Sequence, residues 1–339
     1  MRGFRRIGLS LSVLLVVVSI LMLAGSVGPD AQTRPLKRLN VQLGWIKNAE
    51  FAGLFVADQR GWFAQEGLDV NFISGGAGIE PINIVRANPT YIGVVSSSGA
   101  LITAVSRGAK LKAVAAYYQK HPNCFLMLDD SPIKTYKDFE GRKVGVQPEG
   151  EYYLQALAAV HGLQMSKIQV VRVGFDPTPL LTGQIDAYMA WIINQPYRLE
   201  KAGKKWRALL LADNPGLTFY AMLPFATDQM IKDQPDVIEG FLRASLRGWQ
   251  AVLENPDEAA RITVEKYLPG GDLDAEKWLL KHANPITVSD DTKKYGLGWM
   301  DLKIWESGRD TLLKYKQIER APEVAEMVDL AFLKKIHGK

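Results

Sequence analysis

From residue 38 to about residue 211 the chain alternates short apolar runs with helix-like stretches, one turnover about every 20 to 30 residues. No other feature narrows the possible folds so far. Leu39–Leu43, Leu68–Ile73, Tyr91–Val95, Lys112–Tyr117 and Phe125–Leu128 read as strands, with Phe51–Trp62, Glu80–Ala87 and Gly99–Arg107 as helices among them. A second module opens near residue 133. Its strands are expected at Lys143–Gln147, Ile168–Val173, Asp186–Trp191 and Ala208–Leu211, its helices at Tyr152–His161, Pro177–Leu181 and Tyr197–Ala202. Such alternation builds βαβ units and mainly parallel sheets. After Pro224 the pattern turns helical, with candidates at Asp228–Asn255, Pro256–Lys266, Asp274–Ala283, Leu297–Tyr315 and Pro322–Ile336. The expectation is an α/β protein of two lobes, each a mainly parallel sheet flanked by helices. Strand-like segments near Phe125 and at Phe219–Leu223 are expected to carry the chain between them. Lobe I then comprises residues 32–125 plus 220–339, and lobe II residues 126–219.

The first thirty residues speak to compartment. Arg2, Arg5 and Arg6 precede an apolar run from Ile7 to Ala24, and small residues follow at Ala24-Gly25-Ser26 and Pro29-Asp30-Ala31. That order is a secretory signal, so residues 1–31 read as a signal peptide. The run is also close to the minimum of about 17 residues that span a bilayer, which makes an uncleaved N-terminal anchor the alternative. No cysteine follows it, so a lipid-modified N-terminal cysteine is excluded. Either reading puts the rest of the chain in the periplasm or on the extracellular face of the cytoplasmic membrane.

What remains has length for about two domains, and the composition of the full chain, 47% apolar and 23% charged, is that of a soluble globular protein. The net charge of +5 falls to +3 without residues 1–31, which carry three arginines and one aspartate. So small a charge, on scattered lysines and arginines, does not suit a nucleic-acid binder. Cys124 is the single cysteine, which rules out an intrachain disulfide and a thiolate metal site and suggests a small buried hydrophobe. His121, His161, His282 and His337 stand in no catalytic context, and no G-x-S-x-G, H-E-x-x-H or metal-ligand spacing occurs. No catalytic residue, metal or cofactor is expected.

Several stretches resemble a known family. Leu43-Gly-Trp45, Asn48, Ala52-Gly53, Val56-Ala57, Gly61-Trp-Phe63 and Glu66-Gly-Leu-Asp69-Val70 are similar to the opening of the nitrate/sulfonate/thiamine-pyrimidine substrate-binding proteins of ABC importers. Tyr136–Val146 and Leu181-Thr-Gly183-Gln-Ile185-Asp186-Ala187 resemble the start and a later segment of that family's second lobe. Trp45, Asn48 and the run Trp191–Pro196 look closest to members that bind thiamine-precursor pyrimidines or riboflavin. The resemblance implies the type II periplasmic-binding-protein fold, with a small planar heteroaromatic held in the cleft between hinged lobes. It also implies an ABC permease and its ATPase as partners, a monomeric chain, and membrane contact only through the N-terminal segment or the permease. Two alternatives stay open: a sulfonate or nitrate binder of the same fold, and a pyrimidine-synthase-like enzyme, although the dense cysteine motif of that enzyme is missing here. A periplasmic sensor built on the same fold is a third possibility.

In open α/β sheets, ligands sit beyond the carboxyl ends of the strands, and this rule selects the candidate residues. Trp45 either stacks on a planar ligand or caps the sheet. Asn48 either reads a polar ring edge or caps the next helix. Ser74, Gly75 and Gly76 form a loop whose amides can approach a ligand, or simply a tight turn. Ser96 and Ser97 offer oxygen-binding hydroxyls and amides, or N-capping alone. Tyr117 and Gln119 end a strand, and a tyrosine there is expected to face the cleft. Glu149 and Tyr152 occupy the matching turn of lobe II, where a carboxylate also suits the first helical turn without any ligand. Trp191 and Asn194 end the strand that begins at Asp186. Trp45 and Trp191 are expected to sandwich the ring, with Asn48, Asn194 and the serines reading its edge; the alternative puts Trp191 in the core of lobe II.

Overall fold

The computed structural model describes residues 35–147 and 150–339, so the proposed signal or anchor segment and Glu149 lie outside the described residues. Two five-stranded sheets organise the chain. The first holds β1 (Lys37–Gln42), β2 (Leu68–Ile73), β3 (Ile92–Ser97), β4 (Leu111–Ala113) and β10 (Ala221–Thr227), in the order β2-β1-β3-β10-β4. The second holds β5 (Asn123–Leu128), β6 (Lys143–Val146), β7 (Gln169–Arg172), β8 (Ala187–Trp191) and β9 (Trp206–Leu210), in the order β7-β6-β8-β5-β9. β1 runs parallel to β2 and β3, and β6 runs parallel to β7 and β8. The one antiparallel strand in each sheet, β10 or β5, is the first strand formed after the chain passes from the other sheet. Mainly parallel sheets flanked by helices follow from the apolar alternation seen in sequence.

Where expectation and structure part, local stereochemistry explains it. The strand expected at Lys112–Tyr117 keeps a regular ladder only over Leu111–Ala113. Met222, at φ 54°, interrupts β10 opposite the rest, although Tyr117 and Tyr118 still bond to Met222 and Ala221. The single helix expected over Asp228–Asn255 is two, Asp228–Asp233 and Pro235–Glu254. Gln234, at φ −139° and ψ 48°, separates them, because a residue before proline is pushed out of the helical region. The expected Leu297–Tyr315 begins late, at Leu302, where the Asp301 side chain accepts from the Lys303 amide. Pro322–Ile336 likewise divides into Val324–Met327 and Ala331–His337.

The C-terminal helices pack on the first sheet's side of the molecule. Helix Pro235–Glu254 lies against Ala52–Gln59, and the contact depends on two glycines. A Cβ on Gly248 would sit 1.8 Å from the Gly53 carbonyl oxygen, and one on Gly53 would sit 2.5 Å from the Trp249 ring. Close helix approach of this kind seals a large apolar core around Trp249 and Phe241, both 1% exposed or less. The second sheet has a smaller cluster of its own around Leu126, Tyr188 and Leu199, and Cys124 is buried within it as expected.

Candidate functional site

The carboxyl ends of β1 and β3 face those of β7 and β8, and the loops leaving them meet. After β1 the chain runs through Gly44-Trp45 to Asn48, whose side chain accepts from the Glu50 amide and caps the turn Ala49–Phe51. Gly75 is where the second loop crosses it. Its amide donates to the Trp45 carbonyl at 2.9 Å, and a Cβ there would lie 2.7 Å from the Trp45 nitrogen. Close passage of backbone past backbone is what this glycine permits. Ser74 is exposed and turns its hydroxyl to the Gly75 carbonyl, with Gly76 following it in the same loop.

Three contacts join the lobes at this point. Trp45 meets Phe175, from the loop after β7, with ring centroids 5.8 Å apart and planes inclined by 31°. Asn194, after β8, donates through Nδ2 to Glu50 Oε1 at 2.5 Å. Tyr153, on helix Glu151–His161, donates its hydroxyl to Ser97 Oγ at 3.0 Å, while Ser97 also accepts from the Gly99 amide at the next helix's start. Beside them the Trp191 ring stands edge-on to His121, 5.5 Å away at 82°, and the Tyr153 ring lies 5.8 Å from the same imidazole. Ser96 is exposed at the end of the β3 face.

Glu50 dominates the electrostatics. It is 3% exposed, and burial pushes its carboxyl up to about 7, against the opposing hydrogen bonds from Asn194 and Asn48. Glu276, on helix Leu273–Thr287, lies behind it and raises it further; its own Oε2 accepts from the Ala49 amide at 2.6 Å, and burial raises its carboxyl too. No cation is among the groups acting on either one. Burial pushes the His121 imidazole down to about 3 against a hydrogen bond to the Ser96 backbone, so the ring is neutral at pH 7. Its Nδ1 accepts from the Asn123 amide at 3.2 Å.

The structure therefore brings Trp45, Asn48, Ser97, Trp191 and Asn194 to one region, with Ser74, Gly75, Gly76 and Ser96 on its loops. Two expectations need correcting. Tyr117 does not face the cleft: it is 2% exposed, and its ring packs 5.4 Å from Trp249 in the first lobe's core. Gln119 is 4% exposed and saturated by the C-terminal segment, donating to the Ala116 and Trp299 carbonyls and accepting from the Ser289 hydroxyl. The side chain of Tyr152, like Glu149, lies outside the described residues. The ring contact that Trp45 makes is with Phe175, not with Trp191. Glu50, Glu276, Phe175, His121 and Tyr153 were missed in sequence. Only Glu50 left a legible signal, as a lone carboxylate within the apolar run Ala49–Ala52.

The model of the family described as NMT1/THI5 like matches residues 48–259. The chain belongs to the NMT1/THI5-like family. Among family relatives, the riboflavin-binding protein RibY of Chloroflexus aurantiacus is 28% identical over 288 residues, covering 82% of this chain and 80% of that protein. A formylaminopyrimidine-binding protein of Halalkalibacterium halodurans is 25% identical over 258 residues, 75% of this chain and 78% of its own. A 4-amino-5-hydroxymethyl-2-methylpyrimidine phosphate synthase of Legionella pneumophila is 24% identical over 229 residues, 66% and 72%. The periplasmic aliphatic sulphonate binding protein SsuA of Escherichia coli superposes with a TM-score of 0.67 at 15% identity, covering 86% of this chain and 92% of its own. That likeness shows the periplasmic-binding-protein fold. The relatives of this chain thus include proteins named as binding proteins and proteins named as synthases.

Proposed function

We propose that the protein is the extracytoplasmic solute-binding component of an ABC importer, and that it holds a small planar heteroaromatic, a riboflavin or a thiamine-precursor pyrimidine, by closing its lobes. The observation that carries this reading is the Trp45–Phe175 pair, which brings an aromatic face from each lobe to the mouth of one cleft. The two rings already touch, so a flat ring enters only as the lobes part, and stacking on either face then contributes about 0.5–1.5 kcal/mol beyond the area it buries. Hinge closure around a ligand is the motion this architecture supports. The likeness to RibY and to the formylaminopyrimidine-binding protein supports the ligand class. The lobe boundaries at residues 125/126 and 219/220 belong to the same reading, as do export through residues 1–31, a periplasmic location, a monomeric state and partnership with a permease and its ATPase. No described helix is long and apolar enough to cross a membrane.

Against the synthase alternative, the single cysteine does not supply the cysteine motif of the resembled enzymes. Against an anion ligand, the buried carboxyls here are Glu50 and Glu276, with no arginine or lysine paired to either among the described residues to bind sulfonate or nitrate. A thermal-shift series with riboflavin, 4-amino-5-hydroxymethyl-2-methylpyrimidine, taurine and nitrate tests the reading, since stabilisation grows with ligand concentration over Kd. One of the two heteroaromatics should raise Tm and the anions should not. A shift from taurine or nitrate alone sinks it, and steady turnover of a bound heteroaromatic would move the protein to the enzyme class.

A further inference from the structure

Glu50 is a buried carboxyl acceptor where the lobes meet, held by an amide donor from the other lobe and by no ion pair among the described residues. Asn194 donates to it from across the lobes, while the Asn48 side-chain oxygen accepts from the Glu50 amide of the same turn. Behind it stands a second carboxyl, Glu276, whose Oε2 accepts from the Ala49 amide. Near both carboxyls is Tyr118, fully buried, with a hydroxyl that has no hydrogen-bond partner among the described residues. Burying charge and polar groups without full compensation is costly, and such cost persists where a ligand makes use of it.

We infer that Glu50 is the specificity-determining acceptor of the cleft, reading one N–H on the edge of a planar heterocycle in the place that the Asn194 amide now takes. The inference rests on the heteroaromatic reading and deepens it. Two ligand types share the needed chemistry: the isoalloxazine imide, with one N–H between two carbonyls, and the 4-aminopyrimidine, with an exocyclic amine beside a ring nitrogen. In either case Asn194, released from Glu50, has an amide group to offer the flanking acceptor. A site built to bind an N–H rejects the analogue that lacks it more strongly than it rejects a change in apolar bulk, because the buried acceptor is then left unpaired.

The test uses the purified full chain and two matched pairs of probes. Riboflavin is compared with 3-methylriboflavin by flavin fluorescence, and 4-amino-5-hydroxymethyl-2-methylpyrimidine with its 4-dimethylamino analogue by calorimetry. In whichever arm the parent binds, N-methylation is expected to weaken binding at least about 30-fold. Glu50→Gln is expected to weaken the parent comparably and to bring parent and analogue within about 3-fold of each other. Phe175→Ala, by contrast, should weaken parent and methylated analogue alike. A methylated ligand that binds wild type as its parent does overturns the inference while leaving the heteroaromatic reading intact, and this measurement needs no variant to fold. Glu50→Gln binding the parent as wild type does would overturn it as well. If neither parent binds wild type, the heteroaromatic reading falls and takes the inference with it.

Discussion

The two sheets repeat one plan, with three parallel strands, an antiparallel strand fed from the other lobe and an outer strand beyond it, yet their surroundings differ. The inner strands β10 and β5 are both buried, and the edges differ: β4 and β2 of the first sheet each have buried residues, whereas β9 is half-buried throughout and β7 is exposed at both ends. The helical tail covers one of these edges, where Val328 bridges to Ala113 of β4. Residues 228–339 add their packing to the first lobe, through Gly248 and Trp249 against Gly53, and place Glu276 behind Glu50. The second lobe receives only touches from it, such as Lys201 to Asp272 and the Trp278 indole to Glu200. One topology thus yields a heavily built platform that holds the acceptor, and a lighter partner that brings Phe175, Asn194, Tyr153 and Trp191 to it.

The sharpest contrast should come from glycines. Gly248→Ala must drive backbone from backbone, so it is expected to cost about 3 kcal/mol or more, beyond what repacking relieves. In the second lobe, Gly145→Ala meets the tip of Ile185, which can turn aside, and about 1 kcal/mol is expected. Denaturant melts of both variants decide it. Equal losses would break the picture of a tightly packed first lobe and a more yielding second.

Glu50 comes next. Its folded value of about 7 lies above the ordinary 4.5, so between those pH values the folded protein keeps a proton that the unfolded chain has lost. Stability of the ligand-free protein should therefore fall as pH rises through that window and stay flat above it. His121 acts with the opposite sign, since at about 3 against 6.5 it leaves the unfolded chain the better proton binder at pH 3 to 6.5. Subtracting Glu50→Gln from wild type isolates the carboxyl. The variant should be the more stable at pH 8, by up to about 3 kcal/mol, and should lose the Glu50 part of the slope. Riboflavin-type binding to wild type should strengthen from pH 6 to 8 as Glu50 ionises, and be flat in the variant. A variant less stable at pH 8 would mean that burial of Glu50 is compensated by something other than a ligand.

Smaller effects follow at the mouth. Trp45→Ala and Phe175→Ala should each cost about tenfold in ligand affinity, near 1.4 kcal/mol, with the half-exposed Phe175 nearly neutral for stability. Calorimetry on the two variants reads this directly, and unchanged affinity in both would remove the aromatic contribution. Least of all, Lys201→Ala at the exposed rim should leave the melt at physiological salt unchanged.

Much of the fold was legible because apolar periodicity is local. β2 was bounded residue for residue, and most other strands were placed within a residue or two, since each is an apolar run closed by glycine or a polar turn. The split at Gln234 was less so, although Pro235 was visible, because helical periodicity runs across both sides of the break, and the end of β4 at Ala113 was hidden because it depends on Met222 in a distant strand. In the site, strand-end position picked out Trp45, Asn48, Ser97, Trp191 and Asn194. It misplaced Tyr117 and Gln119, because the regular strand stops early and the chain beyond it is covered by helices more than a hundred residues away.

The chain order of apolar runs, glycines and caps was sufficient for two α/β lobes and the end of each sheet where loops gather, because strand and helix formation depend on neighbours within a turn or two. Which residues share the cleft was decided only by the tertiary structure. Phe175 lies 130 positions from Trp45, Asn194 lies 144 from Glu50, and Glu276 lies 227 from Ala49. The raised Glu50 carboxyl is a property of that enclosure, since desolvation exists only once distant segments have closed around the group.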